Sequence, residues 1–157
     1  MSTSKFNLFL ENAKLLSDKL GIVPLLFCSL GLDHLTGEAL CTDDIDILVP
    51  RVFIADRWQE FKAGLEMQGY VLTDAHEHMF VRDGVAYSYA DIEDLESFAG
   101  ICAEDIETRE VNCVRFLLLS LEQYLTVYRR SSMDGYRVNV RQKKDAEKIR
   151  FIESKLS

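Results

Sequence analysis

Two aspartates, Asp44 and Asp46, stand two positions apart in an otherwise aliphatic run over residues 44–49. Side chains of a β-strand alternate between its faces, so both carboxylates point one way while Ile45 and Ile47 point into the core. An unpaired buried carboxylate is costly, and two neighbouring carboxylates repel each other unless a cation neutralises them. Oxygen ligands of this kind are those that Mg²⁺ prefers. The pair therefore predicts a magnesium site.

A third carboxylate is expected to complete a site that holds two metal ions. The best candidate is Asp91, which ends a predicted strand over residues 85–91. Glu93 and Asp94 are alternatives that lie beyond the predicted end of that strand. A turn role for Asp91 is also open, because the ends of hairpins are rich in aspartate.

Ser29 stands where an apolar run over residues 22–28 gives way to a short helical segment that Gly37 closes. We predict Ser29 to be the N-cap of this helix. The backbone N–H groups and the positive dipole end at a helix N-terminus favour a phosphate group. A metal held by carboxylates beside a phosphate cradle is suited to phosphoryl or nucleotidyl transfer. An ordinary capping role is the alternative for Ser29.

The elements that position these residues are predicted from hydrophobic periodicity and from capping and turn residues. The expected helices cover residues 6–20, 29–36, 52–68, about 120–128 and 138–155, with a further short helix open within 91–100. The expected strands cover residues 22–28, 44–49, 70–73, 78–82 and 85–91, and one or two more over 107–119. Together they predict an α/β (α+β) fold in which a mixed sheet has flanking helices and the chain ends in a helical hairpin.

Length and composition favour one domain over residues 1–157, with a core of about 22–119 and C-terminal helices over about 120–156. The net charge of −8 argues against a broad nucleic-acid surface, although a single nucleotide could still bind with a metal. The chain shows no signal-peptide pattern and no apolar run long enough for a bilayer. Its four cysteines lack zinc-site spacing, so we expect reduced thiols in a cytoplasmic protein.

In its order of elements, and most specifically over residues 29–49, the chain resembles the DNA polymerase beta-like nucleotidyltransferase superfamily. The motif of that family is a Gly-Ser or Gly-Gly turn, a spacer and Asp-x-Asp, matched here by Ser29 and by Asp44-x-Asp46. Among the members of this superfamily, the chain most resembles small bacterial ones: antibiotic nucleotidyltransferases, abortive-infection toxins and minimal nucleotidyltransferase antitoxins. Several of these carry an Arg…Lys-Asp element near the nucleotide, which Arg141 and Lys144-Asp145 resemble here.

The resemblance implies a set of site residues. Asp44, Asp46 and Asp91 would hold Mg²⁺, and Asp91 would also be a candidate base for the incoming hydroxyl. The N–H groups of Ser29 and Leu30 would hold the triphosphate of ATP or another nucleoside triphosphate. Lys144 would touch a phosphate, with a solvated helix charge as its alternative.

The activity that the resemblance implies is transfer of a nucleoside monophosphate to a hydroxyl of a small molecule or a protein. No membrane partner is expected, and a homodimer is left open. Two departures from the family pattern favour an alternative: Cys28 stands where the family has glycine before the serine, and the spacer before Asp44 is slightly longer than is typical. Glycine lets backbone approach a phosphate closely. The alternative is a protein of this fold without transfer activity, serving as a nucleotide-binding or antitoxin-like protein-interaction module.

Overall fold

The structure is a computed structural model that describes residues 4–38, 44–132 and 142–156. Within these ranges it is a mixed α/β fold with six α-helices and seven strands. The helices are α1 (Lys5–Leu20), α2 (Cys28–Thr36), α3 (Trp58–Glu66), α4 (Asp94–Ala99), α5 (Leu121–Ser132) and α6 (Gln142–Leu156). The strands are β1 (Leu25–Leu26), β2 (Ile45–Val49), β3 (Val71–Asp74), β4 (Met79–Arg82), β5 (Val85–Asp91), β6 (Glu107–Val111) and β7 (Val114–Leu118).

All seven strands form one sheet in the order β3-β4-β5-β2-β1-β7-β6. The pairs β2–β5 and β1–β7 are parallel, and the other four pairs are antiparallel. The predicted mixed sheet is therefore confirmed. The strand with the two aspartates lies near the middle of the sheet, between β5 and β1.

The register of β2 on β5 divides the sheet into two faces. Ile47 lies opposite Tyr89, and Phe61 of α3 packs its ring edge-on against Tyr89 with centroids 5.0 Å apart. Asn12 of α1 donates a hydrogen bond of 2.7 Å to the Tyr89 hydroxyl on this same face. Asp46 lies one position away along β2, so it points to the opposite face.

Local signals located several boundaries correctly. Gly21 and Gly37 end α1 and α2 with positive φ angles of 66° and 78°. Ser120 and Gln123 form the predicted capping box, with reciprocal hydrogen bonds of 2.9 and 3.1 Å. Asp83-Gly84 joins β4 to β5 with both φ angles positive, as a tight hairpin turn requires.

Other boundaries differ from the sequence prediction. The run over residues 22–28 contains a strand of only two residues, because Pro24 precedes it and α2 begins at Cys28. The single helix expected over 52–68 is a 3₁₀ turn (Arg51–Ile54) followed by α3, since Ala55 has the non-helical angles φ −125° and ψ −101°. The helical hairpin is present as α5 and α6, and the expected helix start at residue 138 lies outside the described residues.

Candidate active site

A cavity of about 570 Å³ lies on the face of the sheet that carries Asp46. Its volume is within the range of sites that hold small molecules and cofactors. The wall combines strands β2 and β5, the start of α2, and residues of α4, α5 and α6. Its lining residues are Phe27, Ser29, Asp44, Asp46, Leu48, Ala90, Asp91, Asp94, Leu95, Phe98, Tyr124, Val127, Tyr128, Ser131 and Lys148.

Asp44 and Asp46 both lie on this wall, as their alternation along the strand predicts. Asp46 is half-buried within β2, whereas Asp44 is exposed and immediately precedes the strand. The N–H group of Phe27 donates a hydrogen bond of 2.9 Å to the backbone oxygen of Asp46. That bond fixes the start of α2 beside the carboxylate strand, so the structure brings the two aspartates and Ser29 to one cavity.

The N-terminus of α2 corrects one detail of the sequence analysis. Phe27, not Ser29, is the N-cap, because the helix begins at Cys28, and no side chain caps it. Ser29 is the second helical residue and is buried against the cavity. Helix geometry leaves the N–H groups of Ser29 and Leu30 without an acceptor inside the helix. This terminus therefore has the donors and the dipole that attract an anion.

Gly31 determines how closely α5 approaches α2, a role that the sequence analysis missed. A side chain at this position would overlap the hydroxyl of Tyr124, which itself lines the cavity. The same hydroxyl lies 3.4 Å from the backbone oxygen of Leu26. A glycine in the interior of a short helix is the sequence signal for such an approach. Gly31 thus allows α5 to form one wall of the cavity.

Asp91 is placed differently from the other two aspartates. It lies opposite Val49 in the β2–β5 register, on the face of the sheet away from Asp46. Its carboxylate accepts hydrogen bonds from the Arg51 guanidinium and, at 2.8 Å, from the N–H of Glu93. The hydrogen bond to Asp91 raises the pKa of Arg51.

Asp91 borders the cavity at the end of β5, but Arg51 rather than the other aspartates engages its carboxylate. Among the residues that the structure describes, no three His, Cys, Asp or Glu side chains form a group that could hold a metal ion. Asp44 and Asp46 alone fit a cation as a pair of neighbouring oxygen ligands. Asp91 as a metal ligand or base stays a prediction, and it requires Arg51 to release the carboxylate.

The helical hairpin supplies the aromatic and cationic part of the wall. The rings of Tyr124 and Tyr128 on α5 are nearly parallel, with centroids 6.1 Å apart. The ammonium of Lys148 on α6 lies 5.1 Å from the centre of the Tyr128 ring. Lys144, the lysine predicted from the sequence to touch a phosphate, has its side chain outside the described residues. Lys148 is one helical turn further along, and that i+4 spacing was the signal that could have found it.

The charges of the described lining are mostly negative. Asp44, Asp46, Asp91 and Asp94 contribute carboxylates, and Lys148 contributes an ammonium. Arg51 lies 3.2 Å from Asp94 and pairs with Asp91. Its positive charge therefore offsets the negative charge of the cavity only near Asp91 and Asp94. Near Asp44 and Asp46 a polyphosphate would be repelled unless a cation accompanied it. The electrostatics of the cavity therefore suit a metal-bound anion better than a free one.

Comparison with known proteins defines the fold. No protein-family model matches the chain. Its structure is similar to the solution structure of the antibiotic-resistance factor ANT(2'')-Ia, a nucleotidyltransferase, with a TM-score of 0.62 and 15% identity. The match covers 99% of this chain and 86% of that one. The predicted nucleotidyltransferase-like fold is therefore confirmed.

Similarity in sequence to a known protein shows the family to which the chain belongs. The chain is 36% identical over 147 residues to the uncharacterized protein YnaI of Bacillus subtilis (strain 168), and the match covers 94% of each protein. The chain belongs to the same family as YnaI. Within the described ranges, none of the helices is both long and apolar enough to cross a bilayer.

Proposed function

We propose that the chain is a nucleotidyltransferase that uses Mg²⁺ and a nucleoside triphosphate. It would transfer a nucleoside monophosphate to a hydroxyl of a small molecule or a protein. The observation that carries this proposal is the shared cavity of Asp44, Asp46 and the N-terminus of α2. A nucleotidyltransferase-like fold supports the general kind of reaction.

The proposed role of each residue follows from where it lies in the cavity. Asp44 and Asp46 would hold the metal, which when bound supplies positive charge to the phosphates and polarises the α-phosphate. The N–H groups of Ser29 and Leu30 would donate hydrogen bonds to phosphate oxygens. Lys148 of α6 places an ammonium on the cavity lining, where it would balance further phosphate charge.

The reaction forms a bond between the acceptor oxygen and the α-phosphorus and breaks the bond from that phosphorus to the bridging oxygen. Pyrophosphate leaves, and the proton of the acceptor hydroxyl passes to a base. Asp91 is the sequence prediction for this base. Arg51 holds the Asp91 carboxylate in the present structure, so that role would need the ion pair to open.

Calorimetric titration of each nucleoside triphosphate into the full chain, with and without Mg²⁺, tests the proposal. We expect binding that needs Mg²⁺ and that Asp46→Asn weakens by at least about tenfold, because a metal-ligating carboxylate is lost. Asp56→Asn is the matched control, since Asp56 is exposed and outside the cavity lining. The proposal is wrong if the folded parent binds no nucleotide, or if Asp46→Asn binds as the parent does.

A second candidate is a protein of the same fold that binds the nucleotide without transferring it. The ion pair of Arg51 with Asp91 favours it, because the guanidinium then holds the carboxylate that is predicted to serve as the base. Cys28 in the place of the family glycine favours it further. Pyrophosphate release separates the two candidates. Magnesium-dependent binding without pyrophosphate release across a panel of acceptors, also in Cys28→Gly, would support the binding module.

A further inference from the structure

The side chain that lies directly beside Asp46 on the sheet belongs to Ser88. The two residues are paired across the parallel β2–β5 ladder, so they share one face of the sheet. Adjacent strands are about 4.8 Å apart, so side chains at paired positions are immediate neighbours. Ser88 is half-buried, and Ala90, two positions further along the same face, lines the cavity. Ser88 is thus the immediate neighbour of the proposed metal ligand on this face of the sheet.

No other position on β5 gives a third ligand as directly. Asp91 is three residues beyond Ser88 on the other face of the sheet, and at the edge of the cavity its carboxylate pairs with Arg51. Tyr87 and Tyr89, the neighbours of Ser88, also point to that other face, where both are buried in the core. The third oxygen next to Asp46 is therefore a neutral hydroxyl and not a carboxylate.

We propose that Ser88 occupies the third position of the metal site, so that the site consists of two carboxylates and one hydroxyl. This inference rests on the proposed function, because it concerns the same metal site. A hydroxyl adds no negative charge, so the chain itself holds a divalent cation weakly. A hydroxyl is also a poor base near neutral pH, so Ser88 cannot remove the proton of an acceptor as a carboxylate could.

A gain-of-binding variant tests this assignment directly. We expect Ser88→Asp to tighten Mn²⁺ binding to the nucleotide-free chain by about tenfold or more, because it adds a third carboxylate beside Asp46. Without metal the same variant should be less stable than the parent, because neighbouring carboxylates repel each other. Mn²⁺ should raise its thermal stability by more than it raises that of the parent. Electron paramagnetic resonance of free Mn²⁺ measures the binding, and Mg²⁺ competition checks that one site is involved.

Two controls separate position from charge. Ser17→Asp adds a carboxylate at an exposed position of α1 and should leave Mn²⁺ binding at the parent level. Asp56→Asn removes an exposed carboxylate outside the cavity lining and should change Mn²⁺ binding by less than about twofold. If Ser88→Asp does not fold, Ser88→Asn replaces it. The amide oxygen of this variant adds a longer neutral ligand, and a tightening of about threefold is then expected.

The inference is overturned if neither substitution at Ser88 tightens Mn²⁺ binding, or if Asp91→Asn weakens it by more than about fivefold. Failure of the proposed function gives a different result. In that case Asp44→Asn and Asp46→Asn would both leave Mn²⁺ binding unchanged. Loss of binding in those two variants, without any effect at Ser88, would reject only the present inference.

Discussion

The carboxylate of Asp46 combines two properties that few side chains of this chain share. It lies within a central strand, and it borders a cavity at a helix N-terminus. Asp44 has the same orientation but is more exposed, because it precedes the strand. Of the two carboxylates, Asp46 is thus the one more firmly positioned, and its substitution is the more informative.

His34 is a titratable residue on the helix that carries the proposed phosphate site. It lies in the last turn of α2, stacked on Phe6 with ring centroids 4.3 Å apart and edge-on to Phe116 at 6.1 Å. Burial, and then the charge of Arg109, lowers the pKa of His34 from its ordinary value of 6.5. The folded state therefore favours the neutral imidazole.

We predict that part of the stability of the fold is lost as pH falls. Below 6.5 the unfolded chain takes up a proton on His34 more readily than the folded chain, so the free energy of unfolding decreases toward the lowered folded pKa. Urea unfolding at pH 7.5 and 5.5 measures this decrease, and His34→Gln should make it smaller. An equal decrease in parent and His34→Gln would contradict the prediction.

At the scale of elements, α2 and α5 are joined by the contact between Gly31 and Tyr124. We predict that Gly31→Ala destabilises the fold by about 1–3 kcal/mol, because the new methyl group overlaps the Tyr124 hydroxyl and forces the helices apart. Chemical denaturation measures the loss. The double variant Gly31→Ala/Tyr124→Phe should recover part of the stability, since the overlapping oxygen is gone. Equal stability of Gly31→Ala and the parent would refute the contact.

Elements with strong local signals were predictable from the sequence, and those decided by distant contacts were not. The helix ends at Gly21 and Gly37 and the capping box at Ser120 depend only on neighbouring residues. The break before α3 accompanies contacts that are distant in sequence: Arg51 of the 3₁₀ turn pairs with Asp91, and Trp58 at the start of α3 packs on Phe80 with ring centroids 5.9 Å apart. The hydrophobic period of residues 52–68 continues through this break, so periodicity could not reveal it.

In the candidate site, too, the features set by local sequence were predictable and those set by contacts distant in sequence were not. Alternation along β2 was enough to place Asp44 and Asp46 on one face. The face of Asp91 relative to Asp46 depends on the register between β2 and β5, in which Asp46 pairs with Ser88 and Val49 pairs with Asp91. A shift of one residue in that register would exchange the faces, and the sequence alone does not specify it.

At the scale of the whole molecule, the chain carries a net charge of −8, and the described wall of its cavity is mainly acidic. Such a molecule attracts cations and repels free polyphosphate. Metal and nucleotide are therefore expected to bind together, at the face of the sheet that carries Asp46. The other face is covered by α1 and α3, which pack against the tyrosines of β5.

Paramagnetic broadening of backbone amide signals by Mn²⁺ with a nucleoside triphosphate tests whether metal and nucleotide share this site. At substoichiometric Mn²⁺, we expect the strongest broadening at Ser29, Leu30 and residues 44–48, and none at β6. Excess Mg²⁺ should reverse it, and Asp46→Asn should abolish it. Broadening centred on Arg51, Glu93 and Asp94, or broadening spread evenly over acidic surfaces, would contradict the account and place the metal outside the proposed site.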